Sequence, residues 1–247
     1  MNKQPIVLRN LGRIDYKVAW DYQFELQRAI IAHKAALREA GEYPPVNTPE
    51  STGLGHFLFC EHPPVYTLGK AGKMAHLLLS EDELRARNID FYAINRGGDI
   101  TFHGIGQVVG YPIFDLELFF ADIWKYVRYV EEAAIRVCAE YGLTAHRIEG
   151  ESGAWLSDAD GKNARKICAV GIHLSRWVTM HGFAFNVNTD LSYFEHIVPC
   201  GITDKGVTSL QRELGREIAE SEVQNHFIKH YADLFNILFM NFDGKYF

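Results

Sequence analysis

Cys200 sits in Ile197-Val198-Pro199-Cys200-Gly201-Ile202, where an apolar run meets a Pro-Cys-Gly turn. A thiolate attacks activated carbonyls well, but an unperturbed thiol with a pKa of about 8.5 is only a few per cent ionised at pH 7. Such a cysteine needs an activating partner. A turn that runs into glycine can expose the sulfur beside free backbone N–H groups, the setting of an acyl-transfer nucleophile. Position alone leaves Cys200 open between that role and a structural one. Cys60, Cys138 and Cys168 lie inside apolar runs and read as small core hydrophobes.

The available activators are histidines and lysines on neighbouring strands, and spacing does not say which is close. Lys166 opens the run Lys166-Ile167-Cys168-Ala169-Val170-Gly171-Ile172, where a lysine is ordinarily an exposed strand end. His103, in Thr101-Phe102-His103-Gly104, reads equally well as a satisfied, half-buried histidine. His62, ahead of Pro63-Pro64, reads as a structural loop residue. His226 and His230 have metal-pair spacing on a helix, but Phe227 stands where a His-Glu-x-x-His motif carries its glutamate. They read as solvated helix histidines. Gly104-x-Gly106-x-x-x-Gly110 follows a strand as a dinucleotide loop does. Val108, Val109, Tyr111 and Ile113 nevertheless continue as strand, and Pro112 opposes the helix start that would hold pyrophosphate. A glycine-rich hairpin is expected there.

The elements that must position these groups follow from period and punctuation. An amphipathic helix is predicted over 16–40, with Asp15 as N-cap and Gly41 as stop. Residues 42–55, rich in Pro, Thr, Ser and Gly, read as a loop. A strand at 56–60 follows, and Ser80-Glu81-Asp82-Glu83 is a capping box that opens a short helix ending near Asn88. Strands at 91–94, 100–103 and 111–114 alternate with glycines. A second helix over 121–141 stops at Gly142, and strands follow at 144–148, 153–156, 166–174 and 178–187. A turn at 158–163 joins two of them, and a final helix is predicted over 222–239. Strands clustered between terminal helices, with hairpin-length connections, indicate a mixed α+β domain rather than regular βαβ winding.

A chain of 247 residues suits one core, and one domain over 1–247 is expected. With 47% hydrophobic and 23% charged residues, neither a disordered nor a collagen-like protein fits. Lys and Arg number 25 against 31 Asp and Glu, a net charge of −6, whereas a general nucleic-acid binder needs a basic surface. No apolar stretch approaches the roughly 18–20 residues of a membrane span. Arg9 interrupts the start before a signal-peptide apolar region forms. The 4 cysteines, widely spaced and without a Cys-x-x-Cys pair, are neither a disulfide framework nor a zinc site. A reduced, cytoplasmic protein is expected.

Four segments together resemble the lipoyl(octanoyl) transferase family, the octanoyl-[acyl carrier protein]:protein N-octanoyltransferases. They are Arg96-Gly-Gly-Asp-Ile-Thr-Phe-His-Gly-Ile-Gly-Gln-Val-Val-Gly-Tyr-Pro-Ile113, Lys166 to Ile172, Met180-His-Gly-Phe-Ala-Phe-Asn-Val-Asn188 running on to Val198-Pro-Cys-Gly-Ile202, and His62-Pro-Pro-Val-Tyr-Thr-Leu-Gly-Lys70. Ile105 departs from the family's usual proline, a change of loop stiffness and not of chemistry. The resemblance implies an α+β fold with a mixed, largely antiparallel sheet flanked by helices, similar to the catalytic domain of biotin and lipoate ligases. It implies transfer of an octanoyl group from acyl carrier protein to a lysine of lipoyl domains in 2-oxoacid dehydrogenase complexes and of the glycine cleavage H protein. No cofactor, metal, nucleic acid or membrane is implied.

By position, Cys200 matches the acyl-thioester nucleophile and Lys166 the residue that lowers its pKa, with His103 or His181 as the base should Lys166 not serve. The acyl-binding segments match Arg96, Gly97, Gly98, Asp99, Ile100, Thr101, Phe102 and His103; Ala169, Val170 and Gly171; and Gly182, Phe183 and Ala184. Gly97, Gly98, Gly171 and Gly182 are expected to line a slot that valine at 171 or 182 would fill without upsetting the fold. Lys70, Lys73, Arg96, Arg165 and Arg176 are candidates for docking acidic partner proteins. Two alternatives stand beside this reading. An ATP-dependent lipoate or biotin ligase needs a phosphate-binding loop, and the Gly-Arg-Gly-Arg type of run is absent from this sequence. A non-catalytic acyl-binding module would tolerate loss of the sulfur.

Overall fold

The computed structural model describes residues 3–43, 55–198 and 205–241. Strand β1 (Gln4–Arg13) leads to helix α1 (Tyr16–Glu39), which Asp15 caps by accepting from the Val18 N–H. Then come β2 (Gly55–Glu61), β3 (Val65–Leu68) and the short helix α2 (Glu81–Ala86), opened by the expected capping box of Ser80 and Glu83. Strands β4 (Asp90–Ala93), β5 (Ile100–His103) and β6 (Gln107–Phe114) precede helix α3 (Ile123–Glu140). Strands β7 (Ala154–Leu156), β8 (Arg165–Ser175) and β9 (Val178–Asn186) follow. The last described stretch holds β10 (Gly206–Val207), α4 (Leu210–Leu214), α5 (Glu220–Phe235) and β11 (Ile237–Met240).

The large sheet runs in the order β10-β8-β9-β6-β2-β1-β11, with β7 also paired to β8. Its centre is antiparallel, from β2 through β6 and β9 to β8 and β7, while β1 pairs parallel with both β2 and β11 and β10 pairs parallel with β8. A small sheet of order β4-β3-β5 lies apart from it. The chain is therefore α+β, with a mixed, largely antiparallel sheet flanked by helices, as expected. Along β2, Phe57 and Phe59 enter the main core with α3 and α5, whereas Leu58 and Cys60 face Ala19 and Ile30 of α1. Both sheet faces are covered, which is why 56–60 reads as an unbroken apolar run. Helix α1 is also pinned by charge: buried Lys34 donates to Asp115 Oδ1 at 2.6 Å and to the Arg176 carbonyl at 3.0 Å.

Three expectations need correction. The final helix does not run to Phe239: Asn236 turns left-handed (φ 52°), ends α5, and frees Ile237–Met240 to add to the edge of β1. The strand expected at 144–148 shrinks to one bridge between His146 and Trp155. The glycine-rich segment after His103 is no hairpin, because β5 belongs to the small sheet and β6 to the large one. It carries the chain from one sheet to the other, and the Gly106 carbonyl ties this crossing to the Val187 and Asn188 N–H groups.

Candidate active site

On the face of the large sheet toward α1, the centre is built from small residues. Ala169 pairs with Ala184 and Gly171 with Gly182, while their neighbours Cys168, Val170, Phe183 and Phe185 turn into the main core on the opposite face. A cavity of about 800 Å³, counted out to its open mouth, stands over this floor. Arg96, Gly98, Asp99, Ile100, Thr101 and His103 border it, as do Ala169, Val170, Gly171, Gly182, Phe183 and Ala184. Gly97 and Phe102 are not among its lining residues. Gly97 spends its N–H on the Ile172 carbonyl at 2.9 Å, and Phe102 stacks on Tyr193 with centroids 4.5 Å apart.

Lys166 reaches the cavity through an irregularity in β8. Ala154 pairs with Cys168 but Trp155 pairs with Lys166, so Ile167 is an extra residue, and both Ile167 and Cys168 are buried in the main core. This bulge turns Lys166 to the cavity face, where uninterrupted alternation would have aimed it into the core. Its Nζ lies 4.5 Å from the centroid of buried Trp155, a contact that suits an ammonium. Strand periodicity alone would have lost this residue. Cys200 itself lies outside the described residues.

The polar lining is held by hydrogen bonds. Arg96, 8% exposed, donates to the Thr67 carbonyl at 2.8 Å, to Thr67 Oγ1 at 3.0 Å and to the Gly97 carbonyl at 3.0 Å. His103 lies 2.9 Å from Gln107 Oε1 through Nδ1. The Gln107 amide is oriented by its donation to the Phe102 carbonyl, so its Oε1 accepts and His103 carries the Nδ1 proton. Gln107 also donates to Asn186 Oδ1 at 2.9 Å, and Asn186 donates to the Thr208 carbonyl at 2.9 Å. His62 gives its Nδ1 proton to the Ile14 carbonyl and accepts from Tyr111 at Nε2, both at 2.8 Å. Burial lowers the pKa of His103 to about 3, that of His62 to about 4, and that of His181 well below its usual value. Neither His103 nor His181 is then basic enough to take a thiol proton efficiently at neutral pH. The buried thiols of Cys60, Cys138 and Cys168 are all pushed upward by desolvation, Cys138 to about 12, as inert core residues should be.

Sequence reasoning missed Tyr16, Tyr111, Gln107, Ser152 and Asn186 as lining residues, and His181 was considered only as a base. Tyr16 stacks on His103 with centroids 5.7 Å apart, although 87 positions separate them and no local pattern links the two. His181 adopts φ 61° inside β9 and gives its N–H to Gln23 Oε1 of α1 at 2.9 Å instead of to β6. Gly182 is not the open slot position expected: a Cβ there would lie 2.1 Å from the Gly110 carbonyl oxygen, because β9 presses directly on β6. At Gly171 the same atom would meet Arg96 Cδ at 2.9 Å. Of the docking candidates, Arg96 is buried and Arg165 is held by Glu213 in a two-point contact at 2.6 and 2.8 Å, whereas Lys70, Lys73 and Arg176 are exposed. His226 and His230 are not freely solvated, since their rings approach Glu140 of α3 at 3.9 and 3.0 Å. No described helix is long and apolar enough to cross a membrane.

The model of the lipoyl protein ligase A/B catalytic domain matches residues 16–232. The chain is 52% identical over 233 residues to the octanoyltransferase of Cytophaga hutchinsonii, covering 94% of this chain and 93% of that one. It is 55% identical over 237 residues to the octanoyltransferase of Flavobacterium johnsoniae, covering 95% and 98%. Among solved structures it resembles a bipartite lipoate protein ligase from Thermoplasma acidophilum, with TM-score 0.65 and 16% identity, covering 98% of this chain and 86% of that one. At that identity the structural likeness speaks to the fold alone.

Proposed function

The chain belongs to the lipoyl protein ligase A/B catalytic-domain family, and on that premise we propose that it is an octanoyltransferase acting in protein lipoylation. The observation that carries this reading is identity above 50%, over nearly the whole chain, to proteins of that activity. The donor is octanoyl-acyl carrier protein, and the acceptor is a lysine of a lipoyl domain, including those of 2-oxoacid dehydrogenases and the glycine cleavage H protein. Residues 1–247 act as one catalytic domain in the cytoplasm.

The Cys200 thiolate attacks the donor's thioester carbonyl, the new C–S bond forms, and the carrier's thiolate leaves. The acceptor amine then attacks the octanoyl-cysteine, an amide C–N bond replaces the C–S bond, the Cys200 thiolate departs, and the proton the amine loses passes to solvent, balancing the one taken up by the carrier's released thiolate. Both steps start from an activated acyl group, so neither consumes ATP. Lys166 favours the thiolate electrostatically, each unit of lowered thiol pKa corresponding to about 1.4 kcal/mol. The chain lies over Ala169, Gly171, Gly182 and Ala184, where about six buried methylenes at ~0.8 kcal/mol each supply on the order of 5 kcal/mol of gross binding. Gly98, Ile100, Thr101 and His103 also border the space it fills.

Incubation with octanoyl-acyl carrier protein, without nucleotide, should add one octanoyl group at Cys200, seen by intact mass and peptide mapping. Adding a lipoyl domain should discharge it. Strict dependence on ATP and free octanoate would establish the ligase reading instead, and binding without a covalent adduct would leave an acyl-binding module.

A further inference from the structure

A carboxylate is out of place in the wall of an acyl slot. Asp99 borders the cavity and is 7% exposed, and an ionised carboxylate so buried is costly unless it is paired. Its partner comes from outside the cavity. Asp99 Oδ2 lies 2.6 Å from Nδ1 of His76, while Oδ1 accepts from the Ile100 N–H at 2.6 Å. His76 belongs to a 3-10 turn, Met74–His76, and is not among the residues that line the cavity.

The same residue has a second hold through its backbone. The His76 carbonyl accepts from the Val198 N–H at 2.8 Å, Leu77 bridges antiparallel to Ile197, and the Leu78 N–H donates to the His196 carbonyl at 2.9 Å. Leu77 and Ile197 pack together with Phe102 and Tyr66, so this contact is fixed by a core of its own. Val198 is followed in the chain by Pro199 and Cys200. One residue therefore grips the acyl wall with its ring and the chain leading to the nucleophile with its carbonyl.

We infer that His76 and Asp99 are positioning residues, which fix Val198, two residues before Cys200 in sequence, relative to the acyl slot, and that Asp99 makes no binding contact with the acyl chain. This rests on the thioester reading given above. Neither group takes part in bond making. Their removal lets the approach of sulfur to carbonyl drift, and a displacement of order 1 Å can cost roughly a hundredfold in rate.

The test is single-turnover acylation by octanoyl-acyl carrier protein, followed by intact mass, with steady-state KM and thermal unfolding measured alongside. His76→Ala and Asp99→Asn should each slow acylation roughly ten- to a hundredfold while KM for the donor stays within about twofold. The double variant should be no slower than the worse single one, because the pair acts as a unit. His76→Gln, which keeps an N–H donor toward Asp99, should recover most of the rate. A rise in KM with Asp99→Asn alone would make Asp99 an acyl contact and overturn the inference, as would additive effects or no rescue by glutamine. Rate losses that track a fall in folded fraction would reduce the pair to a structural role. If wild type forms no octanoyl adduct, the thioester reading fails; if it does and the variants match it, only the positioning role fails.

Discussion

Lowering the pH from 7 to 5 should destabilise this fold through the histidines it buries uncharged. Burial lowers the pKa of His56 and His62 to about 4 and that of His103 to about 3, the approach of Arg9 adding to the effect at His56 and that of His62 at His103. In the unfolded chain each returns to about 6.5 and binds a proton that the native state refuses. Their contribution is complete above about pH 6.5 and drains away as the pH falls toward about 4. With about 1.4 kcal/mol per unit, each histidine costs about 2 kcal/mol at pH 5, and the three together on the order of 6 kcal/mol. Carboxylates, with unfolded values near 4, have scarcely begun to titrate in this window. The assay is urea unfolding at pH 7, 6 and 5, extrapolated to water. His103→Gln keeps a hydrogen-bonding side chain but removes one titration, so its loss between pH 7 and 5 should be smaller by about 2 kcal/mol. A stability that is flat across this range, or an undiminished slope in the variant, would refute the reasoning.

Gly182→Val should cost more than about 4 kcal/mol or prevent folding, since its Cβ would lie 2.1 Å from Gly110 O and 2.7 Å from Pro112 Cδ. Gly171→Ala meets Arg96 Cδ at 2.9 Å and the Gly97 carbonyl oxygen at 3.1 Å, so it should lose about 1–3 kcal/mol by thermal unfolding and raise KM for the acyl donor as the hydrogen-bonded Arg96 is displaced. Lys166→Ala should move the midpoint of Cys200 alkylation by iodoacetamide to higher pH, and Lys166→Arg should largely preserve it; superimposable curves would remove Lys166 from the mechanism. Cys168→Ala should destabilise by about 0.5–3 kcal/mol yet still form the octanoyl adduct, whereas Cys200→Ala should form none.

What could be read in the sequence divides along a physical line. Asp15, Ser80 and Glu83 announce helix starts because caps are satisfied within a few residues, and α1 and α2 begin where they indicate. Strand β11 could not be read this way, since Ile237–Met240 becomes a strand only by pairing with β1, more than 200 residues away in sequence. The cavity shows the same division. Its floor follows from small residues at alternate positions in two adjacent strands, a local pattern. The contact of Tyr16 with His103 and the link from Asp99 to His76 each depend on side chains brought together from separate segments. Lys166 is the sharpest case. Alternation counted back from Val170 and Cys168, both core residues, places Lys166 in the core as well, where an unpaired ammonium is untenable. The conflict itself is information: a lysine in register with buried residues must be released by a bulge, and Ile167 is that extra residue. In the sequence Lys166 passes for an ordinary strand-end lysine, and only the register of β7 on β8 shows that the bulge delivers it to the cavity.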